Sequence, residues 1–169
     1  MSMTVREAVD DYLFAIKRLS PKTQKEYRSK LIFFASWCES QPDSPAIDEV
    51  KRPLLRRFFS YLASEHLHHA TGKPISTYTQ HGYASTIKAF LNWCSNEEDL
   101  EDLVSASVPR KMEMPKVENK IKEVYTKQQI TLLLSAANKE YNEHLTVRDK
   151  AIVSVLIETG VRGGELCGL

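Results

Sequence analysis

The sequence of 169 residues predicts an all-α fold. Apolar residues recur at helical spacing along most of the chain, and most of these stripes begin at a recognisable helix start. With 6 Gly, 7 Pro and 42% hydrophobic residues, the composition is that of a globular protein and excludes collagen-like or disordered chains. The N-terminus has no secretory hydrophobic segment, and the apolar stretch 151–157 is too short to span a bilayer. We therefore expect a cytoplasmic protein with no membrane partner.

Residues 1–104 predict a domain of four helices, because four apolar stripes each follow a start signal. The start signals include a Thr-x-x-Glu capping box, a Ser-Pro pair and a lone proline. The predicted helices are about Val5–Lys17, a helix after Ser20-Pro21, a helix opened by Pro53, and about Thr77–Ser95.

Residues 105–124 predict a basic linker, because prolines and lysines occur there without helical periodicity. Residues 125–169 predict the helical opening of a second domain. A capping box at Thr126 predicts one helix start, Thr146-Val-Arg-Asp149 introduces a second helix, Lys150–Glu158, and Gly160 predicts the end of that helix. The apolar run 151–157 indicates that this helix belongs to the core of a larger domain, which the remaining residues do not complete.

Neither the cysteines nor the histidines form a metal-binding pattern. Cys38, Cys94 and Cys167 are far apart in the sequence, so we interpret them as reduced, small apolar residues. The histidines at 66–69 have no carboxylate or cysteine at ligand spacing, and we interpret them as residues of a solvated loop. We expect no metal site and no cofactor.

The net charge of +1 does not by itself indicate a nucleic-acid partner, but the distribution of charge favours one. Residues 17–30 contain six basic residues and one acidic residue, Glu26, and residues 51–88 have the same balance, with Glu65 as the acid. Residues 97–102 contain five acidic residues. This segregation predicts a basic face and an acidic opposite face.

An internal repeat relates the second and fourth predicted helices at an offset of 56 residues. Eight of the nineteen positions from 20 to 38 are identical in the two segments: Ser20/Ser76, Thr23/Thr79, Gln24/Gln80, Tyr27/Tyr83, Ser29/Ser85, Phe34/Phe90, Trp37/Trp93 and Cys38/Cys94. The repeat favours equivalent roles for the two helices in a pair of helical hairpins. Its apolar members predict core residues.

The outward faces of the same two helices carry the candidate DNA contacts. Long cations suit phosphates, whereas shorter hydroxyl and imidazole groups suit base edges. The candidates are Lys22, Lys25, Arg28 and Ser29 on the second helix and Tyr78, His81, Ser85 and Lys88 on the fourth.

Two segments resemble a known family. Residues 159–166, Thr-Gly-Val-Arg-Gly-Gly-Glu-Leu, with Arg-Asp-x-Ala at 148–151, are similar to the start of the catalytic domain of tyrosine recombinases, the phage integrase family. Residues 19–37 resemble the second helix of the N-terminal core-binding domain of that family, and Thr79, Lys88, Phe90 and Trp93 fit its fourth helix. The resemblance implies a four-helix SAM-like core-binding domain in 1–104, followed by a truncated, helical start of the catalytic domain in 125–169.

The resemblance also implies a function. Members of this family cut and rejoin double-stranded DNA through a 3′-phosphotyrosine intermediate, without a metal or nucleotide cofactor, and the parent protein is expected to assemble as a tetramer on DNA. Arg162 matches the first catalytic arginine, and Glu165 matches the residue that supports it. A guanidinium group can hold two oxygens of the scissile phosphate. The tyrosine nucleophile of the family lies downstream of residue 169, so we expect this chain to bind DNA without cleaving it.

Two alternative functions stay open on the sequence alone. A helical DNA-binding transcriptional regulator would share the basic face, and a protein-interaction bundle would share the four helices. The recombinase and the regulator both predict salt-sensitive DNA binding, whereas the interaction bundle does not. We expect no small-molecule substrate.

Overall fold

A computed structural model describes residues 3–68, 70–117, 123–137 and 143–168. Within these ranges the regular elements are helices, apart from isolated bridges at Thr4–Ala46 and Leu67–Pro74. This confirms the predicted all-α class. The chain divides into two compact units, Met1–Asn119 and Lys120–Leu169. In the described part of the chain, no helix has both the length and the apolar character needed to cross a bilayer.

The first unit contains the four predicted helices, with bounds close to the expected ones. They are α1 (Val5–Ala15), α2 (Pro21–Glu39), α3 (Arg52–Ser64) and α4 (Thr77–Cys94), followed by a short helix, α5 (Ser107–Arg110). Short 3₁₀ turns follow α1 at Ile16–Arg18 and precede α3 at Ile47–Glu49. Helix α1 packs against α2 and α4, and α3 packs against α4.

The repeated residues at the starts of α2 and α4 form the same N-terminal cap twice. The Ser20 hydroxyl accepts a hydrogen bond from the Thr23 backbone N–H at 3.2 Å, and Ser76 accepts the corresponding bond from Thr79 at 3.1 Å. In both helices the next residue, a glutamine, donates from Nε2 to the carbonyl that precedes the serine, at 2.7 Å in α2 and 3.1 Å in α4. Three of the eight identities are therefore capping residues, which satisfy backbone groups that a helix start leaves unpaired.

The repeated aromatic residues build two matching clusters in the core. The helices form two hairpins, α1–α2 and α3–α4, and each cluster joins a central ring to a tyrosine of its own hairpin and to a phenylalanine and a tryptophan of the other hairpin. Around Tyr12 the centroid distances are 6.2 Å to Tyr27, 5.6 Å to Phe90 and 5.3 Å to Trp93. Around Phe58 they are 6.3 Å to Tyr83, 4.9 Å to Phe34 and 5.1 Å to Trp37. Burial raises the pKa of Tyr12 to about 12, so its hydroxyl stays protonated.

The first half of the predicted linker differs from the expectation, because it packs on the first unit. Pro109 and Met112 are buried, and α5 contacts α4. Arg56 Nη2 lies 2.5 Å from Glu113 Oε1, and Arg52 Nη2 lies 3.5 Å from the same oxygen. The apolar residues of this segment are too sparse to form a stripe, so the sequence pattern does not reveal their burial. Residues 118–122 of the predicted linker lie outside the described residues.

The second unit consists of α6 (Lys127–Ala136), α7 (Glu143–Thr159) and α8 (Gly163–Leu166). The capping box at Thr126 is confirmed, since its hydroxyl accepts a bond from the Gln129 backbone N–H at 3.3 Å. The start predicted at Thr146 is wrong. Helix α7 includes residues 143–145, so the Thr146 motif lies inside the helix and does not start it.

The apolar run of α7 is not buried in this unit. None of the described residues of α6, α7 and α8 is buried, and Ile152 and Ile157 are exposed. The neighbouring helices are too short to cover the apolar side chains of α7. Gly160 ends the helix as predicted, with a φ of 64° that favours glycine.

Two further interpretations need correction. Cys38 and Cys94 are buried as expected of small apolar residues, but Cys167 is exposed. His66 is not fully solvated, because its ring lies 4.4 Å from that of Phe33 and also contacts Tyr61 and Tyr83. This partial burial lowers the pKa of His66. His69 lies outside the described residues.

Candidate nucleic-acid interface

A groove runs along the outer surface of the first unit between α2 and α4. It forms because the two helices pack side by side through their apolar faces and leave their polar faces outward. The residues that line it are Glu26, Tyr27 and Lys30 from α2, Tyr78, Thr79, His81, Gly82, Ser85 and Thr86 from α4, and Val117.

The predicted cations of α2 lie on the exposed face of this helix. Lys22, Lys25 and Arg28 are exposed, as is Ser29, whereas the opposite face of α2 is buried in the core. Within the described ranges, no ion pair engages any of these three cations. Their charges are therefore available to an anionic ligand, although neither they nor Ser29 line the groove itself.

The predicted residues of α4 divide into two groups. Tyr78, His81 and Ser85 line the groove, with Tyr78 76% exposed. His81 Nδ1 and Ser85 Oγ lie 3.3 Å apart, because residues four apart share one helix face. Lys88 is partly buried and does not line the groove, so it is a weaker candidate than the sequence suggested.

The structure also places Glu26 and Lys30 in the groove, and the prediction from the sequence did not include them. Lys30 Nζ lies 2.5 Å from Glu26 Oε1, and the Lys30 side chain is only 17% exposed. Gly82 makes room for this lysine, because a Cβ at position 82 would lie 3.0 Å from Nζ. The spacing of four residues between an acid and a following lysine is the signal that could have identified the pair.

The second predicted site lies in the second unit, between α7 and α8. Glu165 Oε2 accepts a hydrogen bond from the Arg162 backbone N–H at 2.9 Å, and Glu165 Oε1 lies 3.4 Å from Arg162 Nη1. The carboxylate therefore holds both the backbone and the side chain of the arginine. The Arg162 side chain is 87% exposed, so its guanidinium retains donors for a ligand.

The fold is a small all-α domain. Two of its helices, α2 and α4, border a groove, and α2 carries an exposed cationic face. Residues 4–102 match the model of the phage integrase SAM-like domain family. Because the match covers more than half of the 169 residues, the chain belongs to this family. The resemblance to tyrosine recombinases that the sequence motifs indicate is confirmed.

Curated relatives cover nearly the whole chain. It is 27% identical over 168 residues to tyrosine recombinase XerC of Mycobacterium sp. (strain KMS). The aligned region covers 98% of this chain and 52% of the relative. It is also 27% identical over 165 residues to a tyrosine recombinase of Thermosipho africanus, with 98% and 53% covered. The chain thus spans about half the length of the curated relatives it matches.

A solved structure has a similar fold. It is the N-terminal domain of a phage integrase/site-specific recombinase from Haloarcula marismortui, with a TM-score of 0.54 and 25% sequence identity. The superposition covers 68% of this chain and 99% of the solved domain.

Proposed function

We propose that this chain is the DNA-binding portion of a site-specific tyrosine recombinase and that it binds duplex DNA along α2 and α4. The observation that carries the proposal is the exposed face of α2, where Lys22, Lys25 and Arg28 have no ion-pair partner among the described residues. The chain that carries this face belongs to the phage integrase SAM-like domain family. Unpaired cations on one helix face attract phosphates, and phosphate contacts supply most of the affinity for DNA. The net charge is only +1, so binding depends on this local charge.

The two helices divide the contact between them. The cations of α2 neutralise phosphates and set the position of the duplex. The shorter polar groups of α4, His81 and Ser85, lie in the groove together with the exposed ring of Tyr78, where they approach base edges. Ser29 adds a hydroxyl group to the exposed face of α2 that contacts DNA. Lys88 adds a positive charge on α4, outside the groove.

Salt dependence tests this assignment. The affinity of the whole chain for a fluorescent duplex is measured by anisotropy at several salt concentrations. Lys22→Ala and Lys25→Ala are each expected to reduce the slope of log affinity against log salt by about 0.9, the value for one lost phosphate contact in B-DNA. Lys51→Ala is the matched control, because Lys51 is exposed but lies at other surface pockets, away from the outer face of α2. Unchanged slopes in both α2 variants would contradict the proposal.

The second part of the proposal concerns catalysis by the complete recombinase. Attack of a tyrosine hydroxyl on phosphorus forms the 3′-phosphotyrosine bond and releases the 5′-hydroxyl of the broken strand. Arg162 holds two oxygens of the scissile phosphate and stabilises the charge that develops on them. Glu165 orients Arg162 through the contacts to its backbone and guanidinium. The complete protein assembles as a tetramer on DNA and acts on no small-molecule substrate.

A nicked suicide duplex tests this part, because it traps the covalent protein–DNA adduct. The 169-residue chain alone is expected to bind the duplex and form no adduct. In the complete protein, Arg162→Ala is expected to lower adduct formation by about a hundredfold while leaving DNA binding intact, since removal of one preorganised donor has an effect of this size. Lys127→Ala, an exposed cation in the same unit, is the control. Adduct at the wild-type level in Arg162→Ala would leave Arg162 with only a structural role.

A further inference from the structure

Glu26 carries a negative charge on the surface that we propose for binding DNA phosphates. Among the described residues that line the groove, it is the one acidic residue. Lys22 and Lys30 lie four residues before and after it on the same helix face. A carboxylate at this position offsets the charge of the neighbouring lysines, so the groove attracts phosphate less than the exposed cationic face of α2 does.

The Glu26 carboxylate is ionised, and one of its two oxygens is available to a ligand. The hydrogen bond from Lys30 holds the pKa of Glu26 below its ordinary value, and the charges of Lys30 and Lys22 add to this effect. Within the described part of the chain, Lys30 is the one side chain that donates to this carboxylate, through Oε1. Oε2 can therefore accept a hydrogen bond from a ligand, and the side chain is 59% exposed.

Lys30 constrains the position of the carboxylate. Lys30 is mostly buried where it crosses Gly82, so its ammonium group has little freedom to move. The ion pair that this ammonium group makes with Glu26 holds the carboxylate beside His81 and Ser85. An acceptor held in place in this way loses less freedom on binding than a mobile side chain, so a hydrogen bond from a matching donor contributes more to affinity.

The donors that duplex DNA presents to a carboxylate in the major groove are the amino groups of cytosine and adenine. Cytosine presents its N4 amino group as a donor, whereas adenine presents its N6 amino group beside the acceptor N7. A carboxylate is repelled by N7 and by the acceptors of guanine and thymine. Cytosine is therefore the base edge that fits an anionic acceptor best.

We propose that Glu26 is a specificity-determining residue whose carboxylate accepts a hydrogen bond from the N4 amino group of a cytosine in the major groove. Lys30 is the positioning residue, and Gly82 provides the space that Lys30 occupies. The inference rests on the proposed binding of duplex DNA along α2 and α4.

Selection from a pool of duplexes tests the proposal. The whole chain is incubated with duplexes randomised over about 20 base pairs, two turns of B-DNA, and the bound fraction is sequenced. The wild-type chain is expected to enrich a cytosine at one position. Glu26→Ala is expected to lower that preference about tenfold, and Glu26→Gln to shift it towards adenine, because an amide matches the N6 and N7 groups of adenine. Glu98→Gln, an exposed acid that does not line the groove, removes the same charge and should keep the wild-type preference.

The outcomes separate this inference from the function on which it rests. If Glu26→Ala raises the affinity for all duplexes equally and keeps the same preference, Glu26 only repels phosphate and the inference is wrong. If the wild-type chain binds the pool but enriches no base, the inference is wrong while DNA binding stands. If the wild-type chain binds no duplex at any salt concentration, the proposed function itself fails. Circular dichroism of each variant checks that it is folded.

Discussion

Helices α2 and α4 are alike on the inside and different on the outside. Towards the core they carry the same phenylalanine, tryptophan and buried cysteine, and each begins with the same exposed capping serine. On the exposed side, α2 carries Lys22, Lys25 and Arg28, whereas α4 carries Tyr78 and the His81–Ser85 pair.

This difference shows what the internal repeat encodes. Seven of the eight identical positions are caps, or aromatic and cysteine residues that contribute to packing, and the exception is the exposed pair Ser29 and Ser85. The equivalence predicted from the repeat thus lies in how the helices start and pack. The residues that are not repeated set the chemistry of the surface.

The largest expected effect concerns the buried phenylalanines. Phe34 and Phe90 are both 0% exposed, so Phe34→Ala and Phe90→Ala should each lower the free energy of unfolding by about 3–5 kcal/mol. Urea denaturation of the whole chain measures both values. A large loss in one variant and a small loss in the other would show that the two helices are not equivalent in the core.

The cysteines should separate by reactivity. Burial raises the pKa of Cys38 and of Cys94 to about 12, so both thiols remain protonated at pH 8, whereas Cys167 is exposed. Because the thiolate is the reactive form and burial blocks access of the reagent, Cys38 and Cys94 should be alkylated far more slowly than the exposed Cys167. Mass spectrometry after brief iodoacetamide treatment measures this ratio, and the same treatment in denaturant should label all three. Rapid native labelling of either buried cysteine would contradict its placement in the core.

The two caps should contribute equally. Ser20→Ala and Ser76→Ala each remove the acceptor for an N-terminal backbone N–H, so each should lower the free energy of unfolding by about 1 kcal/mol. Ser60→Ala is the control, because Ser60 is exposed and lies in the middle of α3. It should not lower the free energy of unfolding measurably. If only one cap matters in urea denaturation, the hydrogen bonds seen at both helix starts do not contribute equally to stability.

The smallest effect belongs to the repeated exposed serines. Ser29→Ala and Ser85→Ala should each change the free energy of unfolding by less than about 0.5 kcal/mol, since both side chains are exposed. They should differ in DNA affinity, measured by anisotropy, because Ser85 lines the groove and Ser29 does not. Equal losses of affinity would indicate that the groove is not the centre of the contact.

The features that could be predicted from sequence are the local ones. The caps at Thr4, Ser20 and Thr126 and the apolar stripes that follow them act over a few residues, so the pattern alone locates these helices. At Thr146 the same pattern failed, because a threonine inside a longer helix can carry a capping motif by chance.

The features that could not be predicted depend on contacts between distant segments. The burial of Met112 and the bridge from Glu113 to α3 join residues about 60 positions apart. The role of Lys30 depends on Gly82, which lies on another helix. Hydrophobic periodicity describes one helix at a time, so it identified the exposed lysines but not the groove between the helices.

The exchange of aromatic residues between the two hairpins has a consequence for how the domain folds. Tyr12 packs on Phe90 and Trp93 of the second hairpin, and Phe58 packs on Phe34 and Trp37 of the first. Neither hairpin can complete its own aromatic cluster, so we expect neither to fold stably by itself. A chain divided in the loop between α3 and α4 is therefore expected to lose the packed core of the first unit until the two pieces associate, so the folded yield should rise with their concentration.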